Sequence, residues 1–147
     1  MPIFFVLAHA TIKTLIDIFI FLNASATASD SAKMLATADT KCVPNVVPVW
    51  SIVAVDPETI AFAEIFIKRT KENLEHNKKV AIAVFKGPML GYQLKGTFSG
   101  FQTSGPIFES FSKKIMTDMK LQIKSVGIIR VDGVFSASPG QGSKKLA

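Results

Sequence analysis

The tripeptide Lys68-Arg69-Thr70 stands where a helical composition begins, and its residue types favour the binding of an anion. The free backbone N–H groups and the positive dipole end of a helix N-terminus attract negative charge, and two cations and a hydroxyl complete a set suited to phosphate. The same residues also fit an ordinary helix start, with Thr70 as the N-cap and the two cations in solvent. The local pattern leaves both interpretations open.

Residues 44–51, PNVVPVWS, form a second candidate and contain the only tryptophan, Trp50. Pro44 and Pro48 each remove a backbone donor, which confines this stretch to a sheet edge, a bulge or the ends of a strand. A kinked edge strand can offer backbone groups to a flat ring, although Trp50 can equally fill the core or a subunit contact. Gln93 is a third candidate, because an amide in an otherwise apolar strand needs a partner.

The histidines and the cysteine support neither a metal site nor a catalytic triad. His9 and His76 lie far apart and outside the spacings of zinc motifs. Cys42 is the single cysteine, so no internal disulfide forms, which favours a reducing compartment. We predict no catalytic side chain and no metal ligand. Redox chemistry would therefore come from a bound cofactor.

The elements that must position these residues are mainly β-strands. Helices are expected over residues 69–77 and 106–116, the second with Pro106 as its first residue. Six or so strands with two short helices favour a small barrel over repeated βαβ units. The predicted strands cover residues 33–38, 43–55, 59–63, 79–85, 91–101 and 125–137.

Composition narrows the class of protein. The chain has 147 residues, of which 48% are hydrophobic, so it is long enough for one folded domain and too apolar to be disordered. The net charge is +6, and residues 1–31 hold one lysine and two aspartates, so the remaining residues carry +7. This charge suits an anionic ligand. The lysines are scattered and lack the interleaved aromatic residues of a nucleic-acid platform.

Residues 1–31 are a separate segment with an uncertain role. Within residues 1–22 the charged residues are Lys13 and Asp17, and the apolar residues fall at helical spacing. Three interpretations remain open: a helix that packs on the following domain, a secretory signal or membrane segment, and translation from a start codon upstream of the natural one. The run of Ala, Ser and Thr over residues 23–31 is typical of a linker.

An ordered series of motifs over residues 32–140 resembles the small FMN-binding proteins of the pyridoxamine 5′-phosphate oxidase-like family. The series as a whole is more specific than any one of its members. The matching stretches are LATADTKCVPNVVPVWS (35–51), TIAFAEIFIKRTKENL (59–74), KKVAIAVF (78–85), GYQLKGTFSGFQTSGPIFE (91–109) and VFSASPG (134–140).

Members of that family are homodimeric split β-barrels that hold FMN in two symmetric clefts at the subunit interface. The resemblance implies that residues 68–70 hold the FMN phosphate and that residues 47–51 run along the isoalloxazine ring. It also implies that residues 63 and 64 border the ribityl chain and that Gln93 approaches the flavin from a neighbouring strand. The implied cofactor contacts are Val47, Pro48, Val49, Trp50, Ser51, Ala63, Glu64, Lys68, Arg69, Thr70 and Gln93.

The sequence also departs from the family pattern. The family often has a second basic residue where Thr70 stands and small residues at Phe66 and Ile67. The substrate-binding arginines and histidine of true pyridoxamine phosphate oxidases have no counterpart in residues 138–147, so vitamin B6 oxidation is not expected.

The resulting expectation is a mainly β, FMN-binding split barrel over residues 32–140, preceded by the apolar segment 1–31 and followed by a basic tail, 141–147. We expect a cytoplasmic homodimer that acts as a flavin-dependent oxidoreductase or electron-transfer protein, with an unidentified redox partner or substrate. The alternative is a non-catalytic protein that binds a flavin or a deazaflavin (F420). No nucleic acid and no membrane association are expected, although the N-terminal segment leaves membrane attachment open.

Overall fold

A computed structural model describes residues 31–140, 142 and 144–146, and in this part of the chain seven strands and two helices form. The strands are β1 (Ser31–Ala38), β2 (Pro44–Pro48), β3 (Val53–Asp56), β4 (Thr59–Ala63), β5 (Lys79–Lys86), β6 (Leu90–Gln102) and β7 (Val126–Ser136). The helices are α1 (Lys68–His76) and α2 (Pro106–Met119). Neither of these two helices is long and apolar enough to span a bilayer.

The strands form one antiparallel sheet in the order β2-β1-β5-β6-β7-β4-β3. Two hydrogen bonds tie the ends of this sheet together: the Lys33 ammonium of β1 donates to the Ile52 carbonyl, and the Ala63 N–H of β4 donates to the Ser51 hydroxyl. The curled sheet encloses the main core. The predicted mainly β split barrel is therefore confirmed.

The single strand predicted over residues 43–55 is wrong, because residues 49–52 form a turn between β2 and β3. The Val49 N–H still donates to the Lys33 carbonyl, but the Ile52 N–H turns back to the Val49 carbonyl. Pro48 is the last residue of β2, so its missing backbone N–H does not interrupt the hydrogen bonds between neighbouring strands. The prediction that these prolines lie at a sheet edge, a bulge or the ends of a strand is confirmed, since they are the first and last residues of the outer strand β2.

The two helices pack in different places. Leu74 of α1 enters the core inside the barrel, with Leu35, Phe62 and Ile82. Helix α2 instead covers the other side of β4 and β7, in a second cluster centred on Ile115. Pro106 occupies the start of α2, as predicted, and the helix runs three residues beyond the predicted end.

The outer face of β1 and β5 carries mostly small and apolar side chains, whereas β6 adds Gln93, Lys95 and Thr97 to this face. Strand register places Met34, Ala83, Gln93 and Phe135 in one row across four neighbouring strands. The alternate residues of these strands, such as Leu35, point into the core. The helices pack elsewhere, so within the described residues this apolar face has no covering element.

The predictions made for residues 1–30 lie outside the described residues. These are the packing helix, the signal or membrane segment and the linker. The proposed domain boundaries at residues 31 and 141 remain predictions for the same reason. Of the basic tail, residues 144–146 return to β7, where the Leu146 N–H donates to the Val134 carbonyl.

Candidate functional site

Helix α1 begins in a way that leaves its first N–H groups without side-chain partners. Ile67 is the N-cap and supplies no side-chain hydrogen bond, and the first turn contains no acidic residue. The first helical hydrogen bond runs from the Lys71 N–H to the Ile67 carbonyl, so the three preceding N–H groups, of residues 68–70, lack helical acceptors. The interpretation of Thr70 as the N-cap is wrong, because it is the third residue of the helix.

The side chains of Lys68 and Arg69 are exposed, and neither makes an ion pair within the described part of the chain. Lys68 borders a cleft of about 450 Å³ that lies between the start of α1 and residues 121–124. Arg69 borders a separate cleft of about 410 Å³, together with His76 and residues 39 and 40. Lys68 and Arg69, two of the three predicted phosphate ligands, therefore flank the helix start from different sides.

Thr70 is 1% exposed, and its side chain lies under the helix. Its hydroxyl accepts a hydrogen bond from the Asn45 amide of β2 at 3.2 Å. One turn later the buried Asn73 amide donates to the Thr37 hydroxyl of β1 at 3.0 Å. These two bonds hold α1 on the β1–β2 hairpin. Thr70 therefore presents its backbone N–H, rather than its hydroxyl, at the helix start.

Glu64 lines the first cleft, and two neighbours bind its carboxylate. Lys71 donates to one carboxylate oxygen at 2.9 Å, and the Ser125 hydroxyl donates to the other. Burial alone would raise the pKa of the Glu64 carboxyl, but the hydrogen bonds from Ser125 and Lys71 and the charges of Lys71 and Lys124 hold that pKa below its ordinary value. Glu64 is therefore ionised and neutralised by its surroundings.

Residues 47–51 adjoin the end of β4 through one hydrogen bond. The Ala63 N–H donates to the buried Ser51 hydroxyl at 3.0 Å. Thus the structure brings together two of the predicted groups, residues 47–51 and residues 63 and 64. Val47 is half-buried and Val49 is buried, whereas Pro48 is exposed.

Trp50 does not fill the core, because 45% of its surface is exposed. It is the exposed member of the turn at residues 49–52, whose other three residues are buried. The interpretation of Trp50 as a core residue is therefore wrong for the single chain. Its ring lines a small cleft of about 180 Å³ beside α2.

Gln93 is not brought to the other predicted residues within one chain. It lies on the outer face of β6, between Ala83 of β5 and Phe135 of β7. Thr37, which contacts α1, points to the opposite, inner face of the sheet. Among the described residues, the Gln93 amide makes no hydrogen bond and lines neither cleft beside α1.

Sequence reasoning missed the residues that support the site. Lys71 and Ser125 bind Glu64, and Asn45 and Asn73 anchor α1. Lys71 is predictable from helix geometry, because it lies one turn from Lys68 on the same helix face. No local pattern connects residue 64 to residue 125. In the described ranges, no group of His, Cys, Asp and Glu side chains could hold a metal ion.

Comparison with known proteins agrees with this fold. The sequence model of pyridoxamine 5′-phosphate oxidase matches residues 24–137. An uncharacterised protein of Methanocaldococcus jannaschii is 28% identical over 116 residues, which cover 76% of each chain.

Two solved structures are similar over most of their length. The HupZ protein of Group A Streptococcus is 30% identical, with a TM-score of 0.74, covering 89% of this chain and 97% of that one. An FMN-binding protein from Syntrophomonas wolfei shares the fold at 17% identity, with a TM-score of 0.73 and coverage of 86% and 88%. The family match spans well over half of the chain. The protein therefore belongs to the pyridoxamine 5′-phosphate oxidase family.

Proposed function

We propose that this protein binds FMN as a homodimer and works as a flavin-dependent oxidoreductase or electron-transfer protein. Membership of the pyridoxamine 5′-phosphate oxidase family and the fold shared with an FMN-binding protein support the cofactor class. The residues of this chain support it independently at two places, the start of α1 and the turn at residues 49–52.

The start of α1 carries the proposal. Helices normally begin with a capping side chain and acidic residues, but α1 has neither and presents Lys68 and Arg69 instead. Unpartnered N–H groups and two exposed cations leave a local excess of positive charge. A dianionic phosphate at this end would satisfy the N–H groups of residues 68–70 and pair with the two side chains.

The turn at residues 49–52 is the proposed position of the isoalloxazine ring. It is joined to the end of β4 by the hydrogen bond from Ala63 to Ser51. From Ala63 the chain runs through Glu64 to the start of α1, which is a continuous path from ring to phosphate. The apolar side chains of residues 47–49 suit one face of a flat, largely apolar ring.

A second copy of the chain would complete the site. Gln93 lies on the outer face of the sheet, in a row with Met34, Ala83 and Phe135. Apart from Lys95, which lies over the Phe135 ring, the side chains of the neighbouring row are small. A largely small and apolar sheet face of this kind is typical of an isologous interface. Pairing of two such faces would bring Gln93 of one protomer toward the cofactor of its partner.

Bound FMN supplies the transfer of a hydride or of single electrons. The protein's residues bind and orient it. Lys68 and Arg69 neutralise the phosphate, and residues 47–51 exclude water from one side of the ring. Ser125 and Lys71 keep Glu64 ionised. Its carboxylate would accept hydrogen bonds from the hydroxyl groups of the ribityl chain of FMN.

The visible absorption spectrum of the full-length protein as purified tests the proposal, together with mass identification of any released chromophore. We expect flavin absorption bands and the mass of FMN. A released deazaflavin or haem, or the absence of binding when FMN is added, would overturn it. Bound FMN that is not reduced by any nicotinamide donor would favour the non-catalytic alternative.

The substitution Arg69→Gln tests the phosphate position. Loss of a charge-assisted hydrogen bond should weaken FMN binding by about tenfold while leaving riboflavin binding unchanged, because riboflavin has no phosphate. The matched control is Arg130→Gln, which removes the other arginine of the chain, an exposed residue of β7 paired with Asp132. Equal FMN affinity in the two variants would contradict the assignment.

A further inference from the structure

The small cleft beside α2, which we call the Trp50 cleft, is lined by α2 residues that the proposed cofactor contacts do not use. Its volume is about 180 Å³, and its lining includes Trp50, Phe111 and Ile115 together with Ser110, Lys114 and Asp118. Apolar walls with a few polar groups are typical of small-molecule sites, and drug-sized sites measure about 300–1,000 Å³. This cleft therefore suits a ligand of about one ring.

The backbone of the turn that carries Trp50 is held in place, even though the Trp50 side chain is exposed. The residues around it are fastened: the Val49 N–H donates to the Lys33 carbonyl, Lys33 donates to the Ile52 carbonyl, and Ser51 accepts from Ala63. An anchored turn needs no backbone ordering when Trp50 stacks on a ligand, which lowers the entropic cost of binding.

Helix α2 supplies the opposite wall in two parallel stripes. Phe111 and Ile115, four residues apart, form the apolar stripe. Ser110, Lys114 and Asp118, again four residues apart, form a polar stripe along its edge. Lys114 and Asp118 make an ion pair at 2.9 Å, with much of both side chains exposed.

That ion pair adds little to the stability of α2. Exposed pairs contribute modestly, and the order with the cation first is the less favourable one along a helix. The pair does place a strong donor next to a strong acceptor at the rim of an aromatic cleft. A primary carboxamide has the complementary arrangement, with a carbonyl acceptor beside an N–H donor.

We propose that the Trp50 cleft binds a planar aromatic carboxamide, a class that includes the nicotinamide ring. The ring lies between Trp50 and Phe111, the carboxamide oxygen accepts from Lys114, and its N–H donates to Asp118. As a substrate site beside the flavin ring, this inference rests on the function proposed above, because Trp50 and Ser51 belong to both sites.

Fluorescence of Trp50, the only tryptophan of the chain, reports binding directly. The full-length protein is titrated with benzamide and, separately, with benzoate, with and without added FMN. We expect a saturable change in Trp50 emission with benzamide and a markedly weaker one with benzoate. A carboxylate has no N–H to donate to Asp118 and is repelled by it, and the charge of Lys114 is already balanced by its pair with Asp118. Linear, non-saturable quenching by both compounds would overturn the inference.

Two substitutions in α2 form a matched pair. Lys114→Met removes the proposed donor and should weaken benzamide binding about tenfold. Lys113→Met changes the same charge on the neighbouring residue, which does not line the cleft, and should alter the affinity by less than about twofold. Equal weakening in both variants would show a general charge effect and contradict the proposal.

Asp118→Asn provides the complementary test. It removes the repulsion between Asp118 and the benzoate carboxylate and frees Lys114 from its ion pair, so the affinity for benzoate should rise. The affinity for benzamide should fall by less than in Lys114→Met. A fall in both affinities would contradict the assigned contact. FMN binding is measured on the same samples. Normal FMN binding without saturable benzamide binding would refute only the proposed carboxamide site. Saturable benzamide binding without FMN binding would refute only the proposed flavin-dependent function.

Discussion

The Lys33 ammonium donates to the Ile52 carbonyl at 2.6 Å from inside the barrel. No carboxylate in the described part of the chain pairs with it, and 5% of the residue is exposed. Burial lowers the pKa of the Lys33 ammonium from 10.5 to about 8. The lysine therefore fastens the turn that carries Trp50, while its charge makes the folded state less stable than a neutral amine would.

Lys33 predicts a specific pH dependence of stability. Between about pH 8 and 10.5 the unfolded chain binds more protons at this residue than the folded protein does, so the free energy of unfolding rises with pH. Relative to Lys33→Met, the wild type should gain up to about 3 kcal/mol between neutral pH and about pH 10. Urea unfolding at several pH values measures this gain.

Lys86→Met is the control for that experiment, because Lys86 is an exposed residue at the end of β5. Its stability difference from the wild type should stay constant over the same pH range. A constant difference for Lys33→Met as well would contradict the lowered pKa.

The hydrogen bond from Asn73 to Thr37 predicts coupled effects on stability. Thr37→Val and Asn73→Leu should each lower the free energy of unfolding by about 1–3 kcal/mol, because each leaves one buried polar group unpaired. The double variant should lose less than the sum of the two, since it leaves neither group unpaired. Urea unfolding of the four proteins measures the coupling. Additive losses would show that the two side chains do not stabilise each other.

The apolar outer face predicts the oligomeric state. Ala83→Glu places a charge at the centre of that face and should convert a dimer into a monomer, with weaker FMN binding. Light scattering coupled to size-exclusion chromatography measures the mass. The control Val55→Glu adds the same charge at an exposed position of the edge strand β3 and should leave the dimer intact. A dimer in both variants would place the interface elsewhere.

Phe66 predicts a gain in stability on substitution. It has φ of +54° and is 94% exposed, so it carries the strain of a left-handed backbone without burying its ring. Phe66→Asn should raise the free energy of unfolding by on the order of 0.5–1 kcal/mol, because Asn tolerates this conformation. Phe66→Ala keeps the strain and serves as the control in the same urea titrations. Equal stability of the two variants would argue against a strained residue.

Much of the fold follows from local sequence patterns. Prolines 44 and 48 remove ladder donors, which confines them to a sheet edge, a bulge or the ends of a strand, and they are the two end residues of the outer strand β2. Pro106 suits the first position of a helix, where its missing N–H is not needed, and α2 begins there. The position of Lys68 and Arg69 at a helix start is likewise a local property. Each of these predictions depends on backbone chemistry within a few residues.

Tertiary structure decided what each candidate side chain faces. The Thr70 hydroxyl points to Asn45, 25 residues away, and Glu64 meets Ser125, 61 residues away. Trp50 is exposed because β2 ends at Pro48 and a turn intervenes, whereas a continuous strand was predicted. Strand alternation places Gln93 opposite Leu94, but only the packing of both helices elsewhere leaves the Gln93 face uncovered within the described residues. Long-range strand pairing and barrel closure determine these surroundings. Neither can be read from the local pattern of residue types, because both join residues that are far apart in sequence.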